Sequence, residues 1–422
     1  MSITPRGMSV QEAYRIYCDG GFHVNRKYQR KLVWTVQEKE YLIDSIINGL
    51  PIPLILLASI RTDNYEIIDG LQRLNAIFAY IENRFTYKGK YFDVNQSSRA
   101  KQFGEKGVFP IQKESLLEAK LCANYLDYQL AVTIYPNADE REITDIFGRI
   151  NSGGKQLSNQ EKRQAGMLDI FSSTVRIISS ELRGDSSKEI LPLHEMPEIS
   201  IDSSRENIGY GIKADDVFRC KHGILTKAQL RDSEDEEMIA DILASIILRE
   251  PINRSKDLFD KIYDSNTDEH KKLLRQLNSY GIERIKHELT VTVSIFKEIL
   301  EKSDGFPNFK SVVNPKSQNP VKNSFYSVFM ALFDLVVRRE LSPENYNSIV
   351  SSITKLQSKL TASAHYATTD DRKNNINLTQ GLIQSYFVKK DPPVLTHGPG
   401  LIIDIENSIR RSKTESNRYE CK

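Results

Sequence analysis

A carboxylate at the end of an apolar run, a glycine, and a guanidinium one helical turn later suit the holding of phosphate. The chain carries this pattern at Ile67-Ile68-Asp69-Gly70-Leu71-Gln72-Arg73-Leu74. Here a buried strand delivers Asp69, Gly70 permits a tight turn, and Gln72 and Arg73 occupy the first turn of a helix. The first turn of a helix offers free backbone N–H groups and a partial positive charge, both of which favour an anion. An arginine placed there can grip a phosphate through two parallel hydrogen bonds. Asp69 can then bind Mg²⁺ or orient a water. Asp-Gly before a helix is also an ordinary connection, and an arginine on a first turn is commonly just solvated, so this segment alone leaves both readings open.

Two more polar clusters bear on the choice. Tyr28-Gln29-Arg30 follows Arg26 and Lys27 and precedes Lys31-Leu32-Val33-Trp34, which holds the single tryptophan of the chain. Lys27, Tyr28 and Lys31, with Arg26 and Arg30, form a basic cluster beside aromatic rings, suited to contacting DNA phosphates and stacking on a base, in particular a flipped one. For Trp34 itself, filling the core beside the next helix is the favoured reading. The third cluster is Phe147-Gly148-Arg149-Ile150-Asn151-Ser152-Gly153-Gly154-Lys155, running into Leu157-Ser158-Asn159-Gln160-Glu161. Ser158 and Glu161 have the spacing of a capping box, a structural role. Arg149 and Asn151 adjoin a glycine-rich turn whose backbone can approach a ligand.

These groups need elements to position them. Residues 36–48 place Leu42, Ile43, Ile46 and Ile47 on one helical stripe, stopped at Gly49. Residues 52–58 and 65–68 form a predicted hairpin, and Leu74, Ile77, Phe78 and Ile81 predict a helix directly after Gly70. Residues 130–135 predict a strand and 140–150 a helix. Beyond about residue 166 nearly everything reads as helix and loop. Helices are expected at 168–182, 236–248, 268–302 with a break near Gly281, 324–339, 343–360, 378–388 and 401–411, with loops at 303–320 and 361–377. The acidic run from Asp232 to Glu237 reads as a solvated helix start.

The 422 residues exceed a single-domain size, so the expected division is 1–166 and 167–422. Lys+Arg 58 against Asp+Glu 56 leaves +2, which excludes histone-like binding driven by global charge and requires a local patch instead. Cys18, Cys122, Cys220 and Cys421 form no CxxC pair, so neither a zinc knuckle nor a disulfide framework is expected. The start lacks a signal-peptide core. The most apolar stretch, 50–60, is interrupted by Pro51 and Pro53 and too short to span a bilayer. The expectation is a cytoplasmic protein.

In this order the three clusters resemble the family named domain of unknown function 262, the N-terminal domain of GmrSD-type restriction systems, related to the ParB/sulfiredoxin-like fold. The resemblance rests on Tyr28, Gln29, Arg30, Val33 and Trp34; on the segment Ser45-Ile46-Ile47-Asn48-Gly49-Leu50-Pro51-Ile52-Pro53; on Asp69-Gly70-Leu71-Gln72-Arg73, similar to a hallmark Asp-Gly-Gln-Gln-Arg; and on Arg149-Ile150-Asn151, Leu157 and Glu161. It covers about 160 residues. Leu71 replaces the first glutamine of the hallmark, and Lys27 a proline often found before Tyr-Gln-Arg.

The resemblance implies an α+β chain with a nucleotide-binding ParB/sulfiredoxin-like domain followed by a helical sensing or partner-docking domain. It implies binding and hydrolysis of a nucleoside triphosphate with Mg²⁺, coupled to sensing modified or foreign DNA in antiviral defence. Asp69, Gln72 and Arg73 are then the expected catalytic groups, with Asp69 on the metal, and Gln29, Arg30, Gly70, Arg149 and Asn151 the expected nucleotide ligands. The alternatives are a non-hydrolysing regulatory subunit served by a separate nuclease or helicase, and a nuclease with a divergent site. For the last, His194 in Leu193-His194-Glu195-Met196-Pro197 and the distant Asn377-Leu378-Thr379 are the only echoes of an HNH element, and a surface role for His194 is preferred.

Overall fold

The computed structural model describes residues 4–109, 114–136, 142–143, 146–147, 158–164, 167, 169–202, 211–305, 308–316, 318–360 and 368–389. The N-terminal half is built on a mixed sheet of β1 (Thr4–Ser9), β2 (Phe22–Asn25), β3 (Ile55–Arg61), β4 (Asn64–Asp69), β5 (Gln129–Pro136) and β6 (Ile190–Pro192), in the order β1-β5-β3-β4-β2-β6. β3 and β4 form the antiparallel hairpin expected from sequence, while β3 runs parallel to β5 and β4 parallel to β2. β6 arrives from beyond the helix Ile170–Arg183 to pair antiparallel with β2.

Strand alternation divides the apolar residues between the two faces. Ile55, Leu57 and Ile67 join the core formed by α1 (Val10–Cys18), α2 (Val36–Ile47) and α3 (Leu71–Ile81). Leu56, Ala58 and Ile68 face the other way and pack with Tyr28, Ile143 and Phe147. A second large core gathers the helical C-terminal region around α6 (Glu234–Ile247), whose Ile239, Ile242, Leu243 and Ile246 are buried. α4 (Asn159–Gln164) and α5 (Ile170–Arg183) lie between them in sequence. The chain is thus an α+β protein with a sheet-bearing N-terminal part and a helical remainder.

Several expectations shift. The break at Gly281 is real, separating helices Asp268–Tyr280 and Ile282–Glu301 with φ at 89°. Of the loop expected over 361–377, residues 361–367 lie outside the described residues, and from residue 369 the chain forms the helix Thr369–Ile383, started by a capping box between Thr368 and Asp371. The expected helix 343–360 splits into Tyr346–Ser352 and Leu356–Lys359, with Lys355 left-handed at φ 58°. Most of the helix expected at 140–150 lies outside the described residues, as does all of 401–411. No helix among the described residues is long and apolar enough to cross a membrane.

Candidate functional site

β2 and β4 are paired only at Phe22 and His23. Beyond that point the chain turns away at residues 26–31, leaving the carbonyls at the end of β4 in need of donors. Gln29 supplies them: its Nε2 donates to Ile67 O at 2.8 Å and Ile68 O at 2.7 Å. Gln72, on the first turn of α3, works from the other side. Its Nε2 donates to Lys31 O at 2.6 Å, and its Oε1 accepts from Val33 N at 3.1 Å and Trp34 N at 3.2 Å. Two buried glutamines therefore bolt the first cluster to the hallmark turn. The sequence expectation for Gln72 is corrected accordingly: its amide is engaged with backbone and holds the neighbouring loop instead of facing phosphate.

Gly70 caps α3 from a left-handed conformation at φ 102°, and an added Cβ would stand 3.1 Å from Ile55 Cγ1. Only glycine meets both demands without strain. Asp69 and Arg73 pair with each other at 2.7 Å, and Arg73 Nη2 also donates to Leu54 O at 2.9 Å. Arg73 Nε is buried and has no hydrogen-bond partner among the described residues. Asp69 remains partly exposed. Among the described residues no group of three His, Cys, Asp or Glu side chains assembles for a metal.

The first and third clusters meet. Tyr28 and Phe147 pack ring to ring at 5.1 Å, and the Tyr28 hydroxyl donates to Glu66. Beside them opens a narrow cleft whose walls include Lys27, Tyr28, Gln29, Arg30, Phe147 and Glu161. Asp69, Gly70, Gln72 and Arg73 do not line it, so the expected catalytic groups do not share this cleft with the expected nucleotide ligands Gln29 and Arg30. Arg149 and Asn151 lie outside the described residues. Ser158 and Glu161 form the capping box their spacing predicts, with bonds of 2.8 and 3.2 Å.

Lys31 requires a correction. Its side chain is 3% exposed and its ammonium donates to Ser233 Oγ at 2.7 Å and Asp235 Oδ1 at 3.3 Å, with Glu236 Oε1 at 3.5 Å. It is an internal ion-pair partner and is withdrawn from any nucleic-acid surface. The acidic run 232–237 is corrected with it. Asp235 is fully buried, meeting Arg183 and Lys31 and lying 3.8 Å from Arg219. Burial pushes the Asp235 carboxyl up, but Arg183, Lys31 and Arg219 more than offset this and hold it well below the usual carboxylate range. Arg26, which looked basic and free in sequence, forms a two-pronged pair with Asp185 at 2.8 and 3.3 Å. His194 lies on an exposed turn, its ring edge-on to Tyr17.

Sequence reasoning missed Arg176, which also lines the cleft. The available signal was a lone arginine between the buried Val175 and Ile178 on an amphipathic helix.

A mixed sheet with a helix started by Gly70 and a cleft walled by Arg26, Lys27, Arg30 and Arg176 defines an α+β domain. Residues 14–168 match the family described as GmrSD restriction endonuclease, N-terminal domain, and over that span the chain is similar to it. Comparison with curated proteins and with solved structures gives no match.

Proposed function

We propose that the chain binds a nucleoside triphosphate and acts as the nucleotide-responsive component of a restriction system that senses modified or foreign DNA. The observation that carries this reading is the junction where Gln29 and Gln72 lock residues 28–34 onto the Asp69-Gly70 turn, beside a cleft lined by Arg30 and Lys27. Arg30 and Lys27 neutralise phosphate charge there, as cations do in phosphoryl chemistry generally. Arg149 and Asn151 are assigned to the phosphates or the base. Mg²⁺, when bound beside Asp69, supplies charge neutralisation between phosphates; the protein's part is to hold Asp69 and Arg73 in register through Gly70. Lys27 is the proposed DNA contact, Tyr28 being buried against Phe147 and Glu66, and cutting belongs to a separate nuclease or helicase-linked subunit. Titration with each of the four nucleoside triphosphates, and phosphate release by the wild type, Asp69→Ala and Arg73→Ala, tests the reading. Binding with release that both variants abolish supports an enzyme, and no binding of any nucleotide rejects the proposal.

The closed Asp69–Arg73 pair and the buried Leu71 favour a second reading, a module that holds nucleotide as a switch without turnover. Nucleotide binding by the wild type with phosphate release no faster than in Asp69→Ala selects it.

A further inference from the structure

Five cationic side chains, Arg26, Lys27, Arg30, Lys31 and Arg176, line the cleft against two carboxylates, Glu161 and Glu236. Most of these charges are committed. Arg26 is bidentate on Asp185, Lys31 is held by Asp235 and Glu236, and Glu161 accepts from Ser158 N. Arg176 is placed differently. It reaches the cleft from α5, is 7% exposed, and its Nη2 has no hydrogen-bond partner among the described residues. Arg26 Nε is likewise buried without a partner. Burial first, and then the charge of Arg26, depress the Arg176 pKa, so the guanidinium sits where added negative charge is welcome. Buried donors without acceptors are rare in folded proteins, and two of the arginines that line this cleft, Arg176 and Arg26, each carry one.

Glu189 shows what chemistry fits. Its Oε1 stands 3.7 Å from Arg176 Nη2 and 3.5 Å from Lys27 Nζ, beyond strong hydrogen-bond reach of both. The carboxylate is half exposed, while its backbone carbonyl is fixed by Arg26 N at 2.8 Å. An acidic oxygen thus hovers between two cations, near where an oxygen of a phosphate would sit.

The geometry points to a phosphate subsite formed by Arg176 and Arg26, with Lys27 and Arg30 at its mouth, that takes a phosphate group of a nucleoside triphosphate and spans the seam between the sheet-bearing and helical parts. The inference rests on the nucleotide-binding reading and extends it, because Arg176 lies beyond the matched residues 14–168. It gives that reading a means of communication. α5 carries Arg176 into the cleft and Arg183 into the Asp235 cluster at the start of α6, so a phosphate bound by Arg176 bears on the same helix that anchors the helical core. The same chemistry can be supplied by a DNA backbone phosphate, and the test separates the two sources.

The full-length protein is titrated with inorganic tripolyphosphate, with each nucleoside triphosphate and with a duplex oligonucleotide, as the wild type, Arg176→Gln, Arg176→Lys and Glu189→Gln. The expected result is a loss of about tenfold or more in tripolyphosphate and nucleotide affinity in Arg176→Gln, the scale of one charged hydrogen bond, with partial rescue in Arg176→Lys. Glu189→Gln is expected to bind about two- to fivefold more tightly, since a competing carboxylate is neutralised. If the wild type binds nucleotide and neither Arg176→Gln nor Glu189→Gln changes the affinity, the subsite is overturned while the nucleotide-binding reading stands. If only duplex binds, and Arg176→Gln weakens it, the subsite stands with DNA as its source and the nucleotide reading falls. Failure of the wild type to bind any of the three probes overturns both. Should Arg176→Gln not fold, Glu189→Gln decides, and unchanged affinity there counts against the subsite.

Discussion

Replacing Asp235 by alanine tests whether the acidic start of α6 is a buried keystone or a solvated cap. The carboxylate accepts from Arg183, lies 3.3 Å from Lys31 Nζ and 3.8 Å from Arg219 Nη1, and has no exposed surface. Its removal leaves Glu236 and Asp185 to face Lys31, Arg183, Arg219 and Arg26. Breaking a buried ion pair from one side costs about 3–5 kcal/mol, because the remaining charges stay buried without compensation. Glu236 still reaches Arg183 at 3.2 Å and Lys31 at 3.5 Å, and Asp185 reaches Arg183 at 3.1 Å, so the lower end, about 3 kcal/mol, is expected. For a domain of this size that corresponds to a fall in Tm of about 6–12 °C. Asp232→Ala, three residues away and exposed, is the control, expected to stay within about 0.5 kcal/mol. Thermal and urea unfolding followed by circular dichroism measure both. Equal, small effects of the two substitutions refute the argument and restore the solvated reading of the run.

The remaining predictions concern the turn and the core. Gln72→Leu strands Val33 N, Trp34 N and Lys31 O, and loses about 1–3 kcal/mol for each group that water does not reach; an unfolding curve coincident with the wild type contradicts this. Gly70→Ala places a side chain at φ 102° against Ile55 and is expected to lose about 1–3 kcal/mol, which an unchanged Tm would disprove. His222 accepts from Phe309 N at 3.2 Å, and burial, then Lys221 and Lys297, push its pKa down to about 4. Below pH about 6.5 the unfolded chain takes the proton first, so this group withdraws stability as pH falls from about 6.5 toward 4 and no further below that. His222→Asn should flatten the Tm profile in that window, and a profile parallel to the wild type's is the contrary result.

What the sequence disclosed was local. The start of α3 after Gly70, the β3–β4 hairpin, the break at Gly281 and the Ser158–Glu161 box depend on neighbours a few residues apart, and periodicity or cap spacing reveals them. Thr368 and Asp371 carry the same kind of signal, but it was hidden in a stretch rich in Asn, Asp and Lys that resembles a loop. What remained illegible was distant. Lys31 and Asp235 are 204 residues apart, Arg26 and Asp185 159, and no pattern within either segment announces its partner. Charges destined for a buried pair look the same in sequence as charges destined for water. The two glutamines posed a further ambiguity, since Gln29 and Gln72 suit a phosphate and a backbone carbonyl equally well; only the divergence of β2 from β4 decides for the backbone.

Hydrogen–deuterium exchange with and without each nucleoside triphosphate and Mg²⁺ measures the central claim directly, because it reports where a ligand lands on the unmodified chain. Slowed exchange should appear together at residues 26–34, at the start of α3 and along α5 around Arg176. Slowing confined to the distant helices, or no change at saturating nucleotide, would contradict the account.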